Sequence, residues 1–270
     1  MPILLNLNQE IISLYSTLSI AKIAKKLNID RGRASKILKE NNIEVKSKGI
    51  HLRKYPLNES YFDNIDCEEK AYFLGLLYAD GCNHYNDKKK KVTISLQFGD
   101  KEILSKFSTA LYGVDFLQSI KGRNGGQDQF RLNISSKHIS NKLNELGCIP
   151  NKSLLLKFPE WLRSDLKQHF IRGYFDGDGS LSSSKRRLIN DYQWSLVSTR
   201  DFCNEISKII SSELGIHVIK KDTCGNGITT TICVRGNNQI LKLSNWIYAD
   251  SNVYLERKYK KYIELKYSRE

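Results

Sequence analysis

A chain of 270 residues with 43 Lys and Arg against 29 Asp and Glu carries a formal charge of +14. It is long enough to bury a core without disulfide or metal staples, and basic enough to favour a polyanionic partner such as nucleic acid. Six cysteines, Cys67, Cys82, Cys148, Cys203, Cys224 and Cys233, include no C-x-x-C pair and no histidine at finger spacing, so a zinc module has little support and reduced thiols in a cytosolic compartment are expected.

The opening MPILLNLNQE has no basic flank and no run of about 18 apolar residues follows it, so neither an export signal nor a membrane span is expected. The ends, Met1-Pro2 and Ser268-Arg269-Glu270, lack splicing nucleophiles. We therefore expect a free-standing polypeptide rather than a self-excising element.

Residues 1–45 suggest a compact helical unit. After an opening helix around Asn8 to Leu18, Ile20, Ile23, Ala24 and Leu27 recur at helical spacing, and Ala34, Ile37 and Leu38 resume it after Asn28-Ile29-Asp30. Ser19 and Asp30 stand where N-caps belong, each with an oxygen to accept an unpaired backbone N–H. The pattern resembles a helix-turn-helix, with Arg31, Arg33, Ser35, Lys36 and Lys39 on the exposed face of the second helix, where DNA would lie. The competing reading is a packing module with a solvated basic face. Residues 46–65, basic and holding Gly49 and Pro56, are expected to be a linker.

The remainder repeats itself, dividing into halves at 66–160 and 161–270. FLGLLYADG (Phe73 to Gly81) is echoed by IRGYFDGDG (Ile171 to Gly179), and the stretches that follow correspond in turn. Asp80 and Asp178 lie 98 residues apart, 178 minus 80. Each copy predicts helix, strand pair, helix, strand pair, helix: an α+β chain of two αββαββα halves.

Alternation along the strands predicts one polar face per sheet. In the first half it carries Thr93, Ser95, Gln97, Arg131, Asn133 and Ser135; in the second, Gln193, Ser195, Thr229, Thr231 and Arg235. Cationic segments border these faces, Lys88 to Lys91, Lys121 with Arg123, and Lys185 to Arg187, as a DNA-binding surface requires.

The motif helices pose a physical puzzle. Gly75 and Ala79 share a stripe at i, i+4, as do Gly173 and Gly177. Helical glycine costs about 0.5–1 kcal/mol relative to alanine, a cost explained if the two helices pack backbone to backbone. Asp80 and Asp178 then meet at the two C-termini, opposed to the helix dipoles and to each other; at about 5 Å the repulsion is about 3 kcal/mol. A hard cation held by oxygens, Mg²⁺ with Mn²⁺ able to substitute, would resolve the conflict. Gly81 and Gly179 are expected to end the helices in left-handed conformation.

These two stretches resemble the paired motifs of single-chain LAGLIDADG homing endonucleases over about residues 66–268. The resemblance implies saddle-shaped sheets astride a long, pseudo-symmetric double-stranded DNA target, cut on both strands by a monomer. It maps the metal ligands to Asp80, Asp178 and the carbonyls of Ala79 and Gly177, and basic catalytic residues to Lys152 and Lys258, with Arg257 as the neighbour of next interest. Outer polar positions fall within Gln97 to Asp100 and Ser198 to Asp201. Tyr78 departs from the motif, where the second copy keeps Asp176; that position lies about 200° around the helix from the metal carboxylate and is expected to be structural. Arg172, in a normally small or apolar slot, is expected to be exposed.

Two other functions fit the same fold, a DNA-binding regulator with a degenerate endonuclease module and an intron maturase binding RNA. Retention of both aspartates favours the enzyme. The expected setting is the cytoplasm or nucleoid of a bacterium or phage-infected cell, or an organelle.

Overall fold

The computed structural model describes residues 2–45, 54–84, 91–97, 100–122, 128–186, 189–222 and 227–268. The chain divides into two compact units, Met1–Pro56 and Leu57–Glu270.

In the first unit α1 (Pro2–Tyr15), α2 (Ile20–Lys26) and α3 (Arg31–Glu40) enclose a core of Ile11, Tyr15, Ile23, Ile37 and Leu38. The first helix starts earlier than its apolar spacing predicts because Pro2 suits a first helical turn. The turn between α2 and α3 places Asn28 at φ 49°, which asparagine tolerates better than most residues. Asp30 caps α3 as expected, accepting from the N–H groups of Gly32 and Arg33. Ser19 does not: it occupies the N-cap of α2 with extended backbone, but its hydroxyl accepts no capping bond. Arg31, Arg33, Lys36 and Lys39 are exposed on α3 and Ser35 is half-buried.

The second unit begins earlier than residue 66. Asn58 N–H donates to the Leu111 carbonyl, and Tyr61 and Phe62 are buried beside Phe107, so these aromatic residues are core rather than linker. Residues 46–53 of the expected linker lie outside the described residues. The first half runs α4 (Glu68–Asp80), β1 (Gly81–His84), β2 (Lys91–Gln97), α5 (Lys101–Tyr112), β3 (Gln118–Ile120), β4 (Gln129–Ile134) and α6 (Lys137–Glu145). The second repeats it with α7 (Ser164–Asp178), β5 (Ser180–Arg186), β6 (Ile189–Thr199), α8 (Arg200–Leu214), β7 (Ile219–Asp222), β8 (Thr229–Arg235) and α9 (Asn237–Tyr248), and adds α10 (Glu256–Tyr267). The sheets are antiparallel with the same order, β1-β2-β4-β3 and β5-β6-β8-β7.

Alternation decides which face of each sheet meets the helices. Leu132 and Ile134 in the first sheet, and Leu181, Trp194, Leu196, Ile232 and Val234 in the second, are buried, with Trp194 stacked on Phe175 at 4.8 Å. Gln193, Ser195, Thr229 and Thr231 are half-buried and Arg235 is exposed on the opposite face. Gln193 pairs with Arg235 and Ser195 with Cys233, in register. In the first sheet Thr93 pairs with Asn133 and Ser95 with Arg131, while Arg131 and Asn133 are half-buried and Ser135 is exposed. Of the cationic segments, Lys88 to Lys90, Arg123 and Arg187 lie outside the described residues and Lys121 is exposed.

The helices α4 and α7 join the halves. Residues Ala71 to Tyr78 are buried on every side of α4, as a helix enclosed between two layers must be. The packing is reciprocal: a methyl group on Gly75 would strike the Phe170 carbonyl, and one on Gly173 the Tyr72 carbonyl. Among the described residues no helix is long and apolar enough to cross a membrane.

Candidate active site

The paired helix ends bring the two aspartates to one place. A Cβ on Gly177 would collide with the Ala79 methyl and fall 2.9 Å from a carboxylate oxygen of Asp80. Burial, and then the nearby Asp178 carboxylate, push Asp80 up to about 6. Asp178 reaches solvent, but loss of hydration raises it as well, against the pull of Lys152, Tyr174 and Lys258. An open cavity of about 320 Å³ adjoins Asp178, lined among others by Ala79, Lys152, Tyr174, Ser198 and Thr229.

The chain leaves α4 and α7 differently from expectation. Gly81 (φ −73°, ψ 142°) and Gly179 (φ −81°, ψ 167°) are extended, not left-handed, because strands begin at Gly81 and Ser180 without an intervening turn. Glycine is needed there for space: a Cβ at Gly81 would lie 2.5 Å from the Leu77 carbonyl oxygen, and one at Gly179 would enter the Phe175 ring.

Both expected lysines reach these helix ends. Lys152, in the 3₁₀ turn Lys152–Leu154, donates to the carbonyls of Gly81 (2.6 Å) and Ala79 (3.1 Å). Lys258, near the start of α10, donates to those of Phe175 (2.5 Å), Asp176 (2.8 Å) and Gly179 (2.6 Å). The correspondence between Gly81 and Gly179 makes the two lysines structural counterparts. Each places a cation against the negative end of its helix dipole, which offsets part of the strain the aspartates impose. Lys258 is 4% exposed, and burial brings its ammonium down to about 8. All three of its donors are engaged, so it reaches a phosphate only by releasing a carbonyl.

Of the outer positions, Phe98 and Gly99 lie outside the described residues. Asp100 is 4% exposed and accepts from the Nε of Arg257 at 3.0 Å, an ion pair joining the two halves. Arg257 is half-exposed and its charge is felt at Asp80. In the second half Ser198 accepts from the Tyr174 hydroxyl at 2.9 Å and Thr199 caps α8, whereas Asp201 is exposed and lies in a separate groove. Tyr174, which helps hold the Asp178 carboxyl down, escaped the sequence reading. Its place one turn before the aspartate was the available signal.

Arg172 is a correction. It is 1% exposed, and its guanidinium pairs with Glu68 at 2.6 Å and donates to the carbonyls of Ile247 and Val253. A charged residue is accommodated in this apolar slot because Glu68, Ile247 and Val253, from three other segments, satisfy it.

Two αββαββα repeats joined through a glycine-packed helix pair, with one carboxylate at the end of each helix, define an internally duplicated single-chain protein. The family profile described as a LAGLIDADG-like domain matches residues 68–147 and 165–245, more than half the sequence, and the chain belongs to that family. An uncharacterised protein of Methanocaldococcus jannaschii is 25% identical over 211 residues, covering 75% of this chain and 69% of its own. The replication factor C small subunit of the same organism is 27% identical over 167 residues, 59% of this chain but 9% of that protein. In fold, the chain is similar to the meganuclease I-SmaMI bound to uncleavable DNA, with a TM-score of 0.50 and 13% identity over 73% of this chain and 89% of the other.

Proposed function

We propose that this protein is a site-specific endonuclease that cuts both strands of a long, pseudo-symmetric double-stranded DNA target as a monomer, using a divalent metal, Mg²⁺ with Mn²⁺ able to replace it. The observation that carries the reading is the pair Asp80 and Asp178, brought together where the helix ends pack so closely that Gly177 lies against Ala79 and the Asp80 carboxylate. The donors that converge there are oxygens, suited to a hard cation. Asp80 and Asp178 would hold the ion, with the carbonyls of Ala79 and Gly177 beside them; Lys152 occupies one lone pair of Ala79 and leaves a second. A bound cation would activate water and offset charge developing at the scissile phosphate.

The chain's own residues do the rest. Asp80 and Asp178 orient an attacking water, and Lys152 and Lys258 keep positive charge beside both helix ends. Arg257, braced by Asp100, offers an accessible guanidinium to a phosphate. The sheet faces bearing Arg131, Asn133, Ser135, Gln193, Ser195, Thr229, Thr231 and Arg235, with Thr93, Ser95 and Gln97 on β2, read the duplex. Arg31, Arg33 and Lys36 on α3 extend the footprint.

The test is incubation of the purified protein with its host insertion-site duplex, with and without Mg²⁺, alongside Asp80→Asn. Metal-dependent cleavage by the wild type alone is expected. Binding without cutting would refute the enzyme and favour the regulator; preference for structured RNA would favour the maturase.

A further inference from the structure

The two motif helices carry different residues two positions before their aspartates, Tyr78 and Asp176, and both are buried. Both spend their polar groups on the main chain of the closing segments. The Tyr78 hydroxyl donates to the Leu146 carbonyl at the end of α6, six residues before Lys152. Gly147, at φ 99°, crosses that hydroxyl so closely that a Cβ would collide with it. Asn83 holds the carbonyl of Cys148, two residues further on, at 3.1 Å.

In the second half the chemistry is inverted. The Asp176 carboxylate accepts from the Leu255 N–H at 2.7 Å and from the hydroxyls of Tyr72 (2.8 Å) and Tyr248 (2.5 Å). Leu255 is the N-cap of α10, and its carbonyl accepts from the Lys258 N–H at 2.9 Å. The clamp therefore acts one helical turn before the lysine, whose ammonium returns to the Asp176 carbonyl. A hydroxyl donor in one half and a carboxylate acceptor in the other thus tie the closing segment to its own motif helix.

Resting on the nuclease reading, we propose that Tyr78 and Asp176 are positioning residues, each setting the lysine of its own half, Lys152 or Lys258, so that losing one clamp impairs cleavage of one DNA strand and spares the other. The motif position needs no particular side chain for this, only one that can grip the segment passing over it. This accounts for a tyrosine in one copy and an aspartate in the other.

The test uses full-length Tyr78→Phe and Asp176→Asn on a duplex selected by the wild type from a randomised library, with the two strands separately labelled. Each variant should slow one strand by about tenfold, the worth of one buried hydrogen bond, and the two should affect opposite strands. Nicked duplex should accumulate while duplex affinity in Ca²⁺ stays unchanged. Equal slowing of both strands, or no slowing, overturns the proposal.

Competitive acetylation of amines, read by mass spectrometry, supplies a measurement independent of cleavage. Lys258 should gain reactivity in Asp176→Asn while Lys152 does not, and the reverse should hold in Tyr78→Phe. If the wild type proves unable to cut, the nuclease reading falls and the labelling alone decides the clamp, which unchanged reactivity would refute. Should Asp176→Asn not fold, Tyr78→Phe, which keeps the ring, carries both measurements.

Discussion

Replacing Asp80 with asparagine should stabilise the metal-free protein. The native carboxyl ionises near 6 instead of 3.8, so folding works against its charge. That difference of about two units corresponds to about 3 kcal/mol, which salt and partial hydration reduce to about 1–2 kcal/mol. At about 2–4 °C per kcal/mol for a protein of this size, the Asp80→Asn midpoint in EDTA at pH 7.5 should rise by about 2–8 °C. The sign follows from linkage: a raised native pKa destabilises the fold above pH 6, and the penalty is relieved as pH falls from about 6 towards 3.8. The advantage of the variant should therefore shrink by pH 5. Added Mg²⁺ should reverse the order at pH 7.5 by stabilising only the wild type, about 2.7 kcal/mol at a hundredfold excess over Kd. Thermal melts across pH, with EDTA or Mg²⁺, make the measurement. A wild type that melts above Asp80→Asn in EDTA at pH 7.5 would refute the argument that the two carboxylates strain the apo fold.

Glu68→Ala leaves the buried Arg172 guanidinium without its carboxylate and should cost about 3 kcal/mol, read as a lower urea midpoint with an unchanged slope. Gly173→Ala forces a methyl against the Tyr72 carbonyl; about 1–3 kcal/mol of destabilisation is expected, with loss of metal binding by calorimetry as the helix ends part. Deleting residues 1–50 should weaken duplex binding and lower its salt dependence while leaving the single-turnover cleavage rate unchanged, as followed by filter binding and gel assays at several salt concentrations.

The repeat made much of this legible from sequence. Gly75 and Gly173 announced a close helix crossing because no other role explains paired glycines inside buried helices, and strand alternation announced which side chains face outward. What stayed hidden depends on partners remote in sequence. Glu68 is 104 residues from Arg172, and Asp100 is 157 from Arg257, so spacing carried no trace of either pair. The glycines after the aspartates misled for a different reason. Their usual role as left-handed caps presumes a turn, whereas here the strand starts at once and steric room is what they provide. The grip of Lys152 and Lys258 on main-chain carbonyls was invisible in a chain so rich in lysine.

The reciprocal seating of Gly75 on the Phe170 carbonyl and Gly173 on the Tyr72 carbonyl has an evolutionary consequence. Two backbone contacts of this kind act as a gauge that fixes both the gap and the slide between the helices without relying on any side chain of the sheets. Spacing of Asp80 and Asp178 is thereby insulated from drift in the sheet faces. On the proposed function, strand positions such as Gln193 or Thr231 would change with a new target while the Asp80–Asp178 pair keeps its dimensions.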